Sequence, residues 1–304
     1  LNANFNISYN RAKIDKLAGG QTWQSSNWGG KPAGQNDFFI EEGGRLGEVY
    51  GYELDGFYTT DDFSWDGSKW ILNENLTDPT ELIKYNNFGP GSLKLKADED
   101  GKFTKKRLGN TVPTVTGGFG INMRYKNFDL SAFFNYSLGN KIVNATKLGS
   151  SYYNDTKKGW NLNDNFTLAK RYSWIDPSTG ENMLKSSYIK SNGLDYTINR
   201  LNEINAGASM YNPGSITEMP LLDWAVEDGS FLRVNNISIG YTLPKVFVNK
   251  MFMQNVRIYV TGYNLYCFTK YSGADPEVDT RRSTPMTPGV DYSAYPKSRS
   301  FVGG

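Results

Sequence analysis

Carboxylates supply the acid–base chemistry that this sequence offers. Among its 304 residues there is no histidine, which removes His-based catalytic triads and His-ligated zinc or iron. The acids gather at Asp61-Asp62, at Asp98-Glu99-Asp100, and at Glu277 with Asp279. A glycoside hydrolase would need two such groups at a defined separation across a glycosidic bond. Nothing in the spacing fixes a pair, and acids fill solvated loops by default, so an enzyme is not expected. Asp98-Glu99-Asp100-Gly101 has the start of a calcium loop, where alternating oxygen ligands precede a glycine. Lys96 stands at the first ligand position, and Lys105, Lys106 and Arg107 follow where a closing carboxylate is needed. Calcium at Asp98 and Asp100 is therefore not expected, nor is any other metal or cofactor. The single Cys267 has no internal partner for a disulfide and lies within an apolar strand, which reads as a buried structural thiol.

Binding chemistry is better supplied. Aromatic residues make up 14% of the chain, with 20 Tyr and 7 Trp. Trp23, Trp28, Trp65, Trp70, Trp160, Trp174 and Trp224 offer flat faces suited to sugar rings or peptide side chains, and are the candidate substrate-binding residues. The competing account is that they pack loops together, which for any single Trp is the commoner role. Net charge is +2 with no basic stripe, so nucleic acid is not an expected partner.

The elements that would position these residues are strands. Over 117–126, Phe119, Ile121, Met123 and Tyr125 alternate with Gly120, Asn122 and Arg124. The pattern restarts over 128–138, where Phe128, Leu130, Ala132, Phe134, Tyr136 and Leu138 are set against Asp129, Ser131, Asn135 and Ser137. A tight turn at Lys126-Asn127 makes the two a hairpin with one apolar face. Further strands are expected over 1–14, 230–243, 255–268 and 297–304. Leu232 and Val234 are out of phase with Ile237 and Ile239, which predicts a bulge near Asn235-Asn236. Segment 47–58 alternates well enough for a short hairpin arm, and a short helix is expected over 165–175.

A soluble sandwich sheet is one reading of this pattern. The other is a transmembrane β-barrel, whose strands show lipid an apolar band while the lumen stays polar. Two features favour the barrel. Arg124, Asp129, Arg233 and Arg257 fall on the polar face, where a dry core would penalise them and a lumen would not. Short turns alternate with long excursions at 15–116, 139–229 and 269–296, which are expected to be extracellular. The fold class is thus all-β. Six strands cannot close a barrel, because open edges in lipid leave backbone groups unsatisfied, so the chain is expected to be part of a longer one.

Several blocks then carry a resemblance. They are Leu108-Gly109-Asn110-Thr111-Val112-Pro113, Thr116-Gly117-Gly118-Phe119, Tyr125-Lys126-Asn127-Phe128-Asp129-Leu130 and Gly139-Asn140-Lys141-Ile142. Later come Gly229-Ser230-Phe231-Leu232-Arg233, Gly240-Tyr241-Thr242-Leu243-Pro244, Asn264-Leu265, Thr269-Lys270-Tyr271-Ser272-Gly273, Asp275-Pro276-Glu277, Gly289-Val290-Asp291-Tyr292 and Tyr295-Pro296. In this order they resemble the SusC/RagA family of TonB-linked outer-membrane transporters of Bacteroidetes. The resemblance implies the C-terminal part of a plugged barrel of about 22 strands, with the plug and the N-terminal strands absent. It implies uptake of oligosaccharides, or alternatively of peptides, driven through the TonB complex. A SusD-like surface lipoprotein would close over the extracellular mouth, and outer-membrane lipid would surround the wall. A secreted carbohydrate-binding module is the alternative from another class.

Overall fold

The computed structural model describes residues 1–20, 22–25, 36–153, 161–250, 252–277, 286–292 and 294–304, with the backbone alone for 23–25. Six strands carry the alternating pattern: β1 (Asn2–Tyr9), β2 (Val115–Tyr125), β3 (Phe128–Leu138), β4 (Phe231–Thr242), β5 (Arg257–Thr269) and β6 (Ser300–Gly303). They form one sheet in chain order, every pair antiparallel. A strand of period two fixes which side chains share a face once its register is set. In the β2–β3 hairpin Tyr125 lies opposite Phe128, Met123 opposite Leu130, Ile121 opposite Ala132 and Phe119 opposite Phe134. On the other face Arg124 lies opposite Asp129 and Asn122 opposite Ser131. A positive φ of 53° at Lys126 lets the chain reverse within two residues.

The apolar face stays open. Ile239 and Ile258 are 56% and 58% exposed, and Tyr125, Phe128 and Phe268 are exposed beside them. Asn235 is an extra residue in β4, since Phe133 pairs with Asn236 and Phe134 with Val234. Skipping Asn235 keeps Leu232 and Val234 on the face of Ile237 and Ile239, which resolves the phase break seen in the sequence. Across the β5 side, Val234 meets Tyr266 and Asn236 meets Tyr263, so Asn264 and Leu265 also bulge, with Asn264 at φ 51°.

β1 ends at Tyr9 rather than reaching residue 14. There the chain turns away from the sheet, Asn10 N–H donating to Thr114 O at 3.0 Å and Ile14 N–H to Gly44 O at 2.9 Å. Among the described residues no helix is long and apolar enough to cross a membrane.

The three excursions pack into a separate layer. One core draws Phe38, Val49, Leu93 and Leu95 from the first, Val143, Leu148, Tyr211 and Leu221 from the second, and Val290 from the third. Lys141–Asn144 binds these together, pairing antiparallel with Val226–Asp228 and parallel with Val290–Asp291. A second core joins Tyr58, Phe63 and Trp70 to Tyr172, Trp174, Met183, Tyr188 and Leu201.

Two local expectations give way to this packing. Within 47–58, Glu48–Gly51 pairs with Lys106–Asn110 while Leu54–Phe57 pairs with Leu93–Leu95, so no hairpin arm forms. Within 165–175 only a single turn, Asp164–Phe166, is helical. Thr167 O accepts Lys170 and Arg171 N–H in a turn, both at 3.0 Å, and the chain then runs out of helical geometry, with Tyr172 N–H donating to Met210 O at 2.8 Å. The helices lie further on, at Ser186–Asn192 and Leu194–Ile204. In the latter Thr197 and Leu201, four apart, are buried on one face.

These helices are pinned through Asp176, whose side chain is 1% exposed. Its carboxylate accepts from Tyr188 Oη at 2.7 Å, from Ser178 N–H at 3.0 Å and Oγ at 2.7 Å, and from Arg200 Nη2 at 3.3 Å. The Tyr188 and Ser178 hydrogen bonds, then Arg200, hold its pKa well below the usual carboxylate range. A depressed folded-state pKa means that this stabilisation is complete above the unfolded value and is lost as pH falls towards the folded one. The protection of amides over residues 174–204, exchange being taken relative to its intrinsic rate at each pH, should stay constant from neutral pH down to roughly pH 4 and fall below it. Asp176→Asn should raise exchange at neutral pH and flatten the acid limb.

Candidate functional site: the polar face of the sheet and its rim

Alternation places Asn2, Asn4, Asn6 and Ser8 of β1 on the same face as Asn122 and Arg124 of β2 and Asp129 and Ser131 of β3. Three of the four expected charges meet at the short-turn end. Arg257 donates from Nε to Asp129 Oδ1 at 3.0 Å and from Nη2 to Oδ2 at 2.5 Å. To do so it reaches across β4, where Gly240 lies between Asp129 and Tyr259. A Cβ on Gly240 would stand 2.4 Å from Arg257 Nη2, so any side chain there would displace the guanidinium from this path. Arg124 is the cross-strand neighbour of Asp129. These residues line an inner cavity of about 640 Å³ with Asn127, Thr242 and Lys245.

Arg233 is held apart from them, at the loop end. Its Nη2 donates to Asp275 Oδ1 at 2.5 Å and its Nε to Glu277 Oε2 at 3.0 Å. Lys297 Nζ donates to Glu277 Oε2 at 2.5 Å. Asp275 Oδ1 also accepts Glu277 N–H at 2.8 Å, so Asp275-Pro276-Glu277 curls around the guanidinium. Arg233 and Asp275 are both buried. Cys267 lies directly opposite Arg233 on this polar face and is half-buried, a correction to its expected place among apolar neighbours.

Beside this clip a cavity of about 580 Å³ opens between the sheet and the loop layer. Amides and hydroxyls of Asn6, Thr116, Asn135, Ser137 and Asn140 share its lining with the apolar Pro113, Ile142, Phe231 and Pro288. Glu277 borders it, already paired with Arg233 and Lys297. Asn135 Oδ1 is buried there with no donor among the described residues. A second cavity, of about 420 Å³, lies within the layer, lined by Asn144, Lys147, Asn163, Ser272 and Asp291 with Ala274 and Ala294. Lys147 is neutralised by Glu227 at 3.1 Å.

The tryptophans are distributed by packing. Trp70 and Trp174 are buried in the second core, where Trp174 Nε1 donates to Pro90 O at 2.7 Å. Trp65 stacks edge-on against Trp70 at 5.5 Å. Trp224 packs against the first core with Lys147 Nζ 4.6 Å from its ring centroid. Trp28, Trp160 and the side chain of Trp23 lie outside the described residues, as does Asp279. Two of the other acids hold their own turns. Asp62 accepts Thr59 N–H at 2.7 Å, and Asp98 Oδ1 accepts Lys102 N–H at 2.8 Å within its own turn.

Breaking the clip should free the loop it holds. Arg233→Met leaves Asp275 buried and unpaired, at a cost of about 3–5 kcal/mol. Hydrogen exchange at residues 270–277 and 294–297 should rise in that variant, with the β2–β3 hairpin unchanged.

No protein-family model matches the chain. It is 30% identical over 312 residues to the TonB-dependent receptor P3 of Formosa agariphila, a match covering 99% of this chain and 26% of that protein. It is 23% identical over 311 residues to the TonB-dependent receptor SusC of Bacteroides thetaiotaomicron, covering 99% of this chain and 23% of that one. Among solved structures it matches the RagAB peptide importer in its closed-closed state, with TM-score 0.52 at 20% identity, over 99% of this chain and 26% of that one. At that identity the likeness is one of fold. The chain spans about a quarter of the length of the curated relatives it matches. A sheet open to solvent on its apolar face and charged on its other, under a packed loop layer, is thus the partial barrel wall of a relative of these receptors, and the chain belongs to the SusC/RagA family of TonB-dependent receptors.

Proposed function

We propose that this chain forms wall and extracellular layer of an outer-membrane importer that takes up oligosaccharides with energy delivered through the TonB complex. The apolar face of β1–β6 meets outer-membrane lipid, the short turns at Lys126-Asn127 and 244–254 point to the periplasm, and the loop layer lies outside the cell. A SusD-like surface lipoprotein covers that layer. The open apolar face argues against a secreted carbohydrate-binding module, which would have to present it to water.

The observation that carries the oligosaccharide reading is the lining of the rim cavity. Its charge is already paired, and its remaining polar groups, the amides and hydroxyls of Asn6, Thr116, Asn135, Ser137 and Asn140, lie beside the apolar Pro113, Ile142 and Phe231. Such a surface suits a neutral, hydroxyl-rich solute, because each hydroxyl both donates and accepts. Peptides are the second reading, favoured by the likeness in fold to a peptide importer. The two separate in a strain lacking the chromosomal receptor. Complementation with the full receptor should restore uptake of labelled oligosaccharide and not of labelled peptide, and Asn135→Leu should lower that uptake by up to roughly tenfold, the scale of one neutral hydrogen bond. Restored peptide uptake alone would turn the assignment to peptides.

Orientation is tested by two neighbours on β4. Ile239→Asp puts a charge towards lipid and should abolish the assembled receptor in outer-membrane fractions, while Ser238→Asp faces the lumen and should assemble normally. Equal assembly of both would refute the facing assigned to the sheet.

A further inference from the structure

The connection between β4 and β5 exposes apolar side chains that neither the sheet nor the loop layer covers. Pro244 O accepts Phe247 N–H at 3.0 Å and Val248 N–H at 3.3 Å, which starts the short helix Lys245–Lys250. Helical spacing gives it two sides. Lys245 and Val248, three apart, line the inner cavity with Asp129 and Arg257, and Val248 is buried. Val246, Phe247 and Lys250, related by three and four positions, take the other side. Val246 and Phe247 are 69% and 60% exposed. Beyond the helix the chain reverses, with Phe252 N–H donating to Asn249 O and Met253 N–H to Val248 O, both at 3.2 Å. Phe252, at φ 54°, is left fully exposed, and Met253 is exposed beside it.

Position and charge say what covers this patch. Thr242 N–H donates to Asn127 O at 2.8 Å, and Asn127 Nδ2 to Thr242 O at 2.6 Å, which docks the connection against the Lys126-Asn127 turn. At that same end Tyr125, Phe128, Tyr241 and Ile258 finish the open apolar face of the sheet. The patch therefore continues the band assigned to lipid. Residues 244–255 contain no Asp or Glu and carry Lys245 and Lys250, and Lys126 lies 5.5 Å over the Tyr125 ring. Apolar side chains flanked by cations, at the edge of a lipid-facing band, are the composition of an interfacial membrane anchor.

We propose that this connection is a membrane anchor, in which Val246, Phe247, Phe252 and Met253 enter the headgroup–acyl boundary of the periplasmic phospholipid leaflet while Lys126 and Lys250 face its phosphates. The anchor fixes the depth and tilt of β4 and β5 at the end where Arg124, Asp129 and Arg257 line the lumen. It rests on the outer-membrane reading above, and the test separates the two.

The complete receptor, with Cys267 and any other cysteine replaced by serine, is reconstituted in nanodiscs of phosphatidylethanolamine and phosphatidylglycerol. Nitroxide labels are placed one at a time at Phe252→Cys, at Ile239→Cys in the lipid band and at Lys190→Cys in the loop layer. Power saturation then compares access of oxygen with access of a water-soluble nickel chelate. At position 252 the oxygen-to-nickel ratio should match that at 239 and exceed that at 190 by roughly fivefold, as immersion at the interface requires. A ratio at 252 equal to that at 190, with 239 lipid-like, overturns the anchor. Exclusion of both probes at 252 overturns it too and assigns the patch to a protein. A water-like ratio at 239 overturns the outer-membrane reading and the anchor with it. Val246→Cys repeats the test should the label at 252 disturb the turn.

Discussion

A backbone that borders hydrocarbon must find all its hydrogen-bond partners within the sheet, since lipid offers none and each unpaired group costs several kcal/mol. That demand fixes β1–β6 as neighbours in chain order and leaves register as the remaining freedom. Register is then set by the side chains, because a slip of one residue would turn Ile121, Met123, Ile239 and Ile258 inward and Arg124, Asp129 and Arg257 towards lipid. Even the irregularity at Asn235 obeys this rule. The extra residue is skipped so that the apolar residues before and after it share a face.

Charges on the polar face follow from the same constraint. They are tolerated there, and they pair across strands rather than along them. Asp129 and Arg257 sit on β3 and β5, with the intervening strand reduced to a bare glycine at Gly240 where the guanidinium passes. At the opposite end Arg233 is spent on Asp275 and Glu277, tying the third excursion to β4, with Lys297 joining beside it. One interaction type thus does two jobs: it stiffens the sheet at the short-turn end and fastens the loop layer at the other.

The loop layer is a second folding problem solved by ordinary burial. Its first core takes residues from all three excursions, so none of them is an independent loop. Aromatic residues supply much of the buried area, which draws Trp70 and Trp174 into packing, Trp174 also bordering a cavity of about 820 Å³ with Tyr153, Phe166 and Tyr172. Trp70 Nε1, Tyr172 Oη and Trp224 Nε1 are buried without partners among the described residues, places where ordered water would complete the hydrogen bonding.

Period-two alternation, the Lys126-Asn127 turn and the phase break at Asn235 are local properties of neighbouring side chains, so the sequence by itself determined the sheet, its two faces and the position of its bulge. The Asp275-Pro276-Glu277 block was visible too, though not that it encloses Arg233. What only the tertiary structure decided is everything that depends on partners distant in the chain. Segment 47–58 alternates like a hairpin, yet its halves pair with strands some forty and more residues away. A short helix is expected over 165–175, yet Met210 takes the Tyr172 N–H. The reach of Arg257 over Gly240, the neutralisation of Glu277 and the burial of Trp70 and Trp174 belong to the same class. Each is a contact whose energy comes from a residue that local spacing does not specify.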